Sequence, residues 1–575
     1  MYWQLPQTNY SMYCQLCLIL GARRRNGSQV VAMWTLLLAV VIAFFQLFQL
    51  HTYDNLFEHK SIKQSFFLGT NGQQSNVRQY YDACVVGAGL SGAVIAERFA
   101  SQLGKNVLVL DSKGHIGGRL YDFVDKETGI LVQSFGPHLL QTDSYRVWQY
   151  AHEFSDWEPY HPRFLAIDGG KQHLSINMDD LGTLLRADFD LDKLEQGPIK
   201  DQVNLDRAPA NNVEEAALAR VGKSFYDRML KPYLVKKWGK SPIELDVQLS
   251  TEFDLRRTQR VDHFADVFRA VPLHGYTALF ETLFHRYRDK IHVKTNVDFF
   301  DVRNDLSCGK IIYTEQLDSY FARTKNLPEF EHRLFKSARR VSLNTTQIQP
   351  TLVVNHPDRE ISSTRTIEYK HMYKTQLGLP HTVYFVEEPV DGNEIRRMDG
   401  GVLDGGDTTV PIPIPNKSNK DLYMKYISMA EQENITFVGN DFRTFDPAAS
   451  ILDALEKFDE LAPRVLIASD LSTHAGGVEA LVQLAIAFHS WMPTRTYITP
   501  QQGSSISYWK QWYPSIANIP QAKTGKMRRG DVVIYPEVSR CPSQDVQRGV
   551  KVYIWWLARR QAVDESIRLG CGYLR

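Results

Sequence analysis

Apolar and polar positions fall into a few long blocks along this chain, and each block reads as an element. Val30 to Leu50 is almost wholly apolar, and no charged residue occurs between Gly27 and Leu50. About 20 such residues span a bilayer core as a helix, so a transmembrane anchor is predicted at 30–50, behind a short tail at 1–29. Residues 51–80 are polar, rich in Gln, Asn and Ser, and read as a stalk. Asp82 to Val86 is then an apolar strand running into a glycine turn, Ala93 to Leu103 has helical periodicity, and Asn106 to Leu110 is a second buried strand. Residues 121–300 mix helical stretches with short strands. Strand-like runs return at Lys310–Tyr313, Thr382–Val386 and Ile435–Gly439. Around Leu461–Val465 the pattern restarts, with an apolar strand, a Gly-Gly turn and a long apolar helix at Val478–Phe488. The expected organisation is one large α/β domain over 81–461 and a smaller α/β segment over 462–575.

Flanking charge gives the predicted anchor a direction. Arg23, Arg24 and Arg25 precede it and Asp54 and Glu58 follow, so the positive-inside rule puts the tail in the cytosol and the rest across the membrane. The expectation is a single-pass, type II protein with a lumenal (Golgi or ER) catalytic region. Sequons at Asn344, Asn416 and Asn434 fit that placement and add little to it. The net charge of +1 leaves no large basic field, which excludes nucleic acid as an expected partner. Six scattered cysteines give no disulfide framework, and the lone Cys14-x-x-Cys17 pair has no second half to make a metal site.

The first strand, turn and helix carry the clearest chemistry. Gly87-Ala88-Gly89-Leu90-Ser91-Gly92 is GxGxxG, set between strand and helix. Its first glycine makes the tight turn, its second admits a pyrophosphate, and its third lets helix pack on strand. The helix start offers unpaired N–H groups and a positive dipole end to phosphates. Asp111 ends the second strand, where a carboxylate accepts hydrogen bonds from a ribose diol. Gly117-Gly118-Arg119 supplies a second glycine loop, and the late run ending Gly439-Asn440 reads as the turn that brings a C-terminal helix back to a flavin. The chain is far longer than a minimal NAD domain needs. FAD is therefore the expected cofactor, in a Rossmann-type domain with inserted helical and mixed-sheet substrate regions.

Residues 81–460 resemble the UDP-galactopyranose mutase family in order and over nearly their whole length. The blocks that carry the resemblance are GAGLSGAVIAE, GHIGGRLYD, FGPHLLQTD, VGKSFYDRMLKPYLVKKWGKSPIEL, PLHGYTALFE, IIYTEQLDSYF, STRTIEYKHM and ENITFVG. The resemblance implies that N5 of a reduced flavin attacks the anomeric carbon of a UDP-sugar and displaces UDP. The ring then opens through an iminium and recloses as the furanose. No electrons are consumed, but a reductant of unknown identity must first reduce the FAD. By the same resemblance His138 lies beside the isoalloxazine, Arg365 neutralises the sugar diphosphate, and Tyr233 and Trp238 are aromatics on the uridine and diphosphate side. Core roles for Trp238 and His138 are the alternatives. The chain departs from the family at Glu252, where a second arginine is expected, at Gln141 in place of a histidine, at Ile412 within a proline run that replaces a tyrosine pair, and at Asn440 in place of an arginine. Arg256 and Arg257 lie one turn beyond Glu252.

The last segment is similar to the acceptor half of a GT-B glycosyltransferase. It carries His474-Ala475-Gly476-Gly477 at a helix start, Gly530-Asp531-Val532 leading to Tyr535-Pro536-Glu537, and Val552 leading to Trp556-Leu557. No donor half is expected within 462–575. The expected activity is a flavin-dependent UDP-sugar mutase, an isomerase. An amine-oxidase-type flavin oxidoreductase and a catalytically inactive FAD-binding scaffold are the alternatives.

Overall fold

A computed structural model describes residues 79–161, 164–168, 171–174, 210–251, 266–390, 401–402, 407–439, 446–469, 476–491, 495–500, 513–519, 531–535, 551–555 and 572–574. They belong to two compact units, one within 68–461 and one from 462 onward. In chain order the elements that build the site are β1 (Ala83–Val86), α1 (Leu90–Leu103), β2 (Val107–Leu110), α2 (Lys231–Trp238), β3 (Ile291–Lys294), β4 (Ile311–Tyr313), β5 (His332–Ser342), β6 (Val353–Asn355), β7 (Arg365–Glu368), β8 (Thr382–Val390), β9 (Thr408–Pro413), β10 (Thr436–Phe437) and α3 (Pro447–Leu461).

The first sheet has the strand order β3-β2-β1-β4-β10, with every pairing parallel. Its two central strands, ACVV and VLVL, are buried at every position, which is why they read as unbroken apolar runs rather than as alternation. Helix α1 buries Ala93, Val94, Ala96 and Phe99 and packs on α3, where the Phe99 and Phe458 rings meet edge to face at 5.7 Å. It stops at Gly104, whose left-handed backbone lets its N–H reach Ala100 O while that of Lys105 reaches Phe99 O.

A second, eight-stranded sheet includes the neighbours β9-β5-β8-β7-β6. Pairing there is antiparallel through β9, β5, β8, β7 and β6. Helix α2 lies beside it, starts with Pro232 in its first turn and ends on the left-handed Gly239. The unit from 462 holds a separate five-stranded parallel sheet in the order Thr496–Pro500, Val465–Ser469, Val532–Tyr535, Lys551–Trp555, Gly572–Leu574.

Two readings change. Among the described residues no helix is long and apolar enough to cross a membrane. The longest of them, Gly476–Trp491, has 16 residues, short of the roughly 20 a bilayer core needs. The single-pass type II placement is therefore withdrawn, and the apolar segment 30–50 on which it rested lies outside the described residues. The cysteines, unreadable in the sequence, include one pair that closes: Cys84 of β1 is disulfide-bonded to Cys308, 224 residues later.

Candidate functional site

Close approach, more than any side chain, shapes the nucleotide cradle. Gly87 sits at φ 106°, and a Cβ on Gly92 would lie 2.0 Å from the Gly87 carbonyl oxygen. The turn therefore closes only on glycine at both places. The second glycine loop folds onto the first: the Gly117 N–H donates to Ala88 O at 2.9 Å, and a Cβ on Gly118 would come within 3.1 Å of Gly89 Cα. Gly439 closes the third side, since a Cβ there would meet Ser91 Oγ at 2.3 Å. At the start of α1, Gly89 provides no side-chain cap and the first turn carries no acidic residue. The N–H groups of Leu90, Ser91 and Gly92 thus face a cradle with positive potential, which fits a pyrophosphate. Asp111, 5% exposed, accepts from Ala88 N–H through Oδ2 and from Lys113 N–H through Oδ1, both at 2.8 Å. Two backbone donors thereby fix the carboxylate at the end of β2, with lone pairs left for a diol.

Glu315, which follows β4, is a member of this cleft that sequence reading passed over. Burial, reinforced by the negative charge of Asp111, pushes its carboxyl up to about 7, although Lys113 opposes the shift. Asp298 and Arg323 are the remaining charges that bear on it. Its stabilising contribution is complete below the ordinary carboxylate pKa and is lost as pH rises toward 7, because the unfolded chain releases that proton first. The melting temperature of cofactor-free protein should accordingly decline between about pH 5 and pH 7.5, and the decline should be shallower in Glu315→Gln. An identical slope in the variant would assign the effect to other groups.

The second half of the site is electrostatic. His138 lies in the FGPH loop, and Gln133 holds its backbone from both sides, accepting from its N–H at 2.5 Å and donating to its carbonyl at 3.2 Å. Burial, with the positive charges of Arg119 and Arg365, pulls its imidazole down to about 3. The ring is thus neutral at ordinary pH, within electrostatic reach of two guanidiniums. Arg119 extends from the second glycine loop and donates from Nη2 to Pro411 O of β9 at 3.5 Å. Arg365, on β7, lies under the FGPH loop: a Cβ on Gly136 would come within 3.1 Å of its Nη2.

Arg365 has a partner that the sequence did not show. Its Nε and Nη2 form a bidentate pair with the two oxygens of Glu387 on β8, at 2.8 and 2.7 Å. β7 and β8 are antiparallel with Arg365 directly opposite Glu387, so register makes the pair. Burial works against the guanidinium's charge, but Glu387 outweighs it and holds the Arg365 pKa above its ordinary value.

The two aromatics of α2 share one buried cluster but differ in their partners. Tyr233 is 6% exposed and donates from Oη to Asn355 Oδ1 at 3.2 Å, two strands from Glu387. Trp238 is 2% exposed, packed in a cluster with Leu230, Leu234, Leu245 and Ile414 and edge-on to Phe335 at 6.2 Å. Ile412 packs on the same cluster. The structure thus brings His138, Arg119 and Arg365 together, joins Tyr233 to them through the strand that carries Asn355, and puts Trp238 in the packing behind. Gln141 lies in a short strand opposite Arg269. Glu252, Arg256, Arg257 and Asn440 fall outside the described residues.

Fold and cradle together define a dinucleotide-binding α/β protein of the flavoprotein kind. Residues 85–154 match the NAD(P)-binding Rossmann-like domain, and residues 228–441 match the UDP-galactopyranose mutase family. A probable UDP-galactopyranose mutase of Klebsiella pneumoniae is 28% identical over 395 residues, 66% of this chain and 94% of that protein. A dTDP-fucopyranose mutase of Escherichia coli is 25% identical over 384 residues, 65% of this chain and 96% of that protein. Among solved structures, reduced UDP-galactopyranose mutase superposes with a TM-score of 0.51 at 15% identity, covering 67% of this chain and 94% of that one, which establishes the shared fold. Residues 228–441 are thus similar to the UDP-galactopyranose mutase family, and the fold is that of an α/β flavoprotein, which implies FAD as the dinucleotide.

Proposed function

We propose that this chain is an isomerase that interconverts the pyranose and furanose forms of a UDP-sugar. The observation that carries the reading is the Arg365 guanidinium, paired on one edge with Glu387 and set under the FGPH loop of His138, while Arg119 reaches from the glycine cradle to the same sheet. Reduced FAD supplies the nucleophile for such chemistry when bound. The protein's residues then have three tasks. Gly87, Gly89, Gly92, Gly117, Gly118 and Gly439, with Asp111, hold the dinucleotide, and Leu90 and Ser91 offer N–H groups to its phosphates. Arg365, backed by Tyr233 and Asn355, meets the negative charge of the sugar diphosphate. His138 is uncharged and can accept or donate a single hydrogen bond without repelling the cationic character that develops at the anomeric carbon. Neither the oxidase nor the scaffold alternative is favoured by the relatives. Relatives that act on different sugar nucleotides leave the sugar to be found by assay. For residues 462–575 we keep the partial glycosyltransferase-like reading, which the parallel sheet there accommodates. Conversion of UDP-galactofuranose to the pyranose by the dithionite-reduced full chain tests the reading; absence of conversion with FAD bound would refute it.

A further inference from the structure

We infer that Lys236 is a positioning residue, whose ammonium group acts as a fixed, partly buried cation that sets the turn leading into Arg365. Lys236 lies on α2, one turn after Tyr233. Its Nζ donates to the backbone carbonyls of His356 at 2.7 Å, Ile361 at 2.6 Å and Ser363 at 3.3 Å, and also to that of Asp358. Four carbonyls of the one turn, 356–364, thus converge on a single ammonium. An ammonium has three protons, so the four share them, as carbonyls share a bound alkali cation.

The turn connects β6 to β7, and both ends of it reach the site. Asn355, at the end of β6, accepts from Tyr233. Arg365, at the start of β7, pairs with Glu387. Helix α2 therefore grips this hairpin twice, through Tyr233 at one strand end and through Lys236 in the turn. The ends of the turn are also tied by main chain, His356 N–H to Thr364 O and Thr364 N–H to Glu387 O, and Ser362 Oγ donates to Glu388 Oε1. Its tip at Arg359, Glu360 and Ile361 is exposed, however, and Lys236 is the side chain of α2 that gathers it. The charge of Lys236 also depresses the His356 pKa, after burial itself, and His356 Nε2 lies 2.9 Å from Thr366 Oγ1 beside Arg365. Without the ammonium, four carbonyl dipoles point at one another, and the turn must open to hydrate them. The turn leading into Arg365 then shifts, although Arg365 keeps its register opposite Asn355 and Glu387, while the glycine cradle, built on the other sheet, is untouched.

The inference rests on the mutase reading, and its test keeps the two separable. Lys236→Met keeps most of the stem and removes the charge; Lys236→Ala leaves a hole for a small cation. In both, flavin content should match the unsubstituted chain. KM for the UDP-sugar should rise about tenfold or more with kcat changed far less, the signature of lost uniform binding. Ammonium or methylammonium ions should restore much of the KM of Lys236→Ala, whereas tetramethylammonium, too large and without N–H donors, should not. UDP affinity measured calorimetrically should fall in parallel, and that readout needs no turnover. Unchanged KM and UDP affinity in an active background would overturn the inference, as would flavin loss matching the loss of affinity or the absence of any ammonium rescue. Inactivity of the unsubstituted chain would instead refute the mutase reading, leaving UDP affinity to judge Lys236.

Discussion

Arg365→Ala is expected to abolish sugar-nucleotide turnover and to destabilise the fold by about 3–5 kcal/mol, since it strands a buried carboxylate. Glu387 is 9% exposed at its side chain and is fixed by the β7–β8 register, so it cannot swing into water when its partner goes. The bidentate pair occupies the Nε and Nη2 edge of the guanidinium. A guanidinium has five N–H donors, so the edge that includes Nη1 is the one Arg365 can turn to a diphosphate. Stability and binding are therefore separable. Arg365→Met combined with Glu387→Met should recover most of the lost stability, because a buried pair replaced by apolar groups of similar size is often neutral. It should not recover turnover. Thermal melts and steady-state kinetics on the single and double variants check both halves. Recovery of activity in the double variant would show that Arg365 serves only to neutralise Glu387.

Gly92→Ala is expected to leave no flavin on the purified protein. The new methyl group would sit 2.0 Å from a backbone carbonyl oxygen, with Thr314 Oγ1 only 3.1 Å away on another side. Backbone on that side cannot withdraw without opening the turn between β1 and α1, so overpacking should cost about 3 kcal/mol or more and splay the cradle. Gly378→Ala is the matched control: a Cβ there meets nothing within 4 Å, and the substitution should change neither flavin absorbance nor melting temperature. Flavin at full stoichiometry on Gly92→Ala would mean that the dinucleotide lies elsewhere.

Why some of this was legible in the sequence and some was not follows from the range of each interaction. The cradle between β1 and α1 depends on backbone contacts a few residues apart, and those leave glycines at fixed spacing. Two-sided burial of the parallel strands leaves continuous apolar runs. Glu387, by contrast, meets Arg365 only because two strands share a register, and it lies 22 positions further along unremarkable sequence. The carbonyls that hold Lys236 lie 120 or more residues away, and main-chain acceptors have no letter in the sequence at all. Cys84 looked like one more apolar residue of β1, and nothing in its neighbourhood points to Cys308. For Trp238 the motif left a substrate face and a core role both open, and its ring packs edge-on to Phe335. The apolar run at 30–50 matched a membrane span by length and composition alone, with no support from the described helices.

The most direct test of the central claim is turnover by the full chain with its flavin chemically reduced. Purified protein, yellow as isolated and bleached by dithionite under nitrogen, would be incubated with UDP-galactofuranose and the products separated by HPLC. The expected result is conversion to UDP-galactopyranose that requires prior reduction, proceeds without net flavin oxidation, and is lost in Arg365→Ala. Stoichiometric FAD with no conversion of either UDP-galactose or another UDP-hexose would contradict the account.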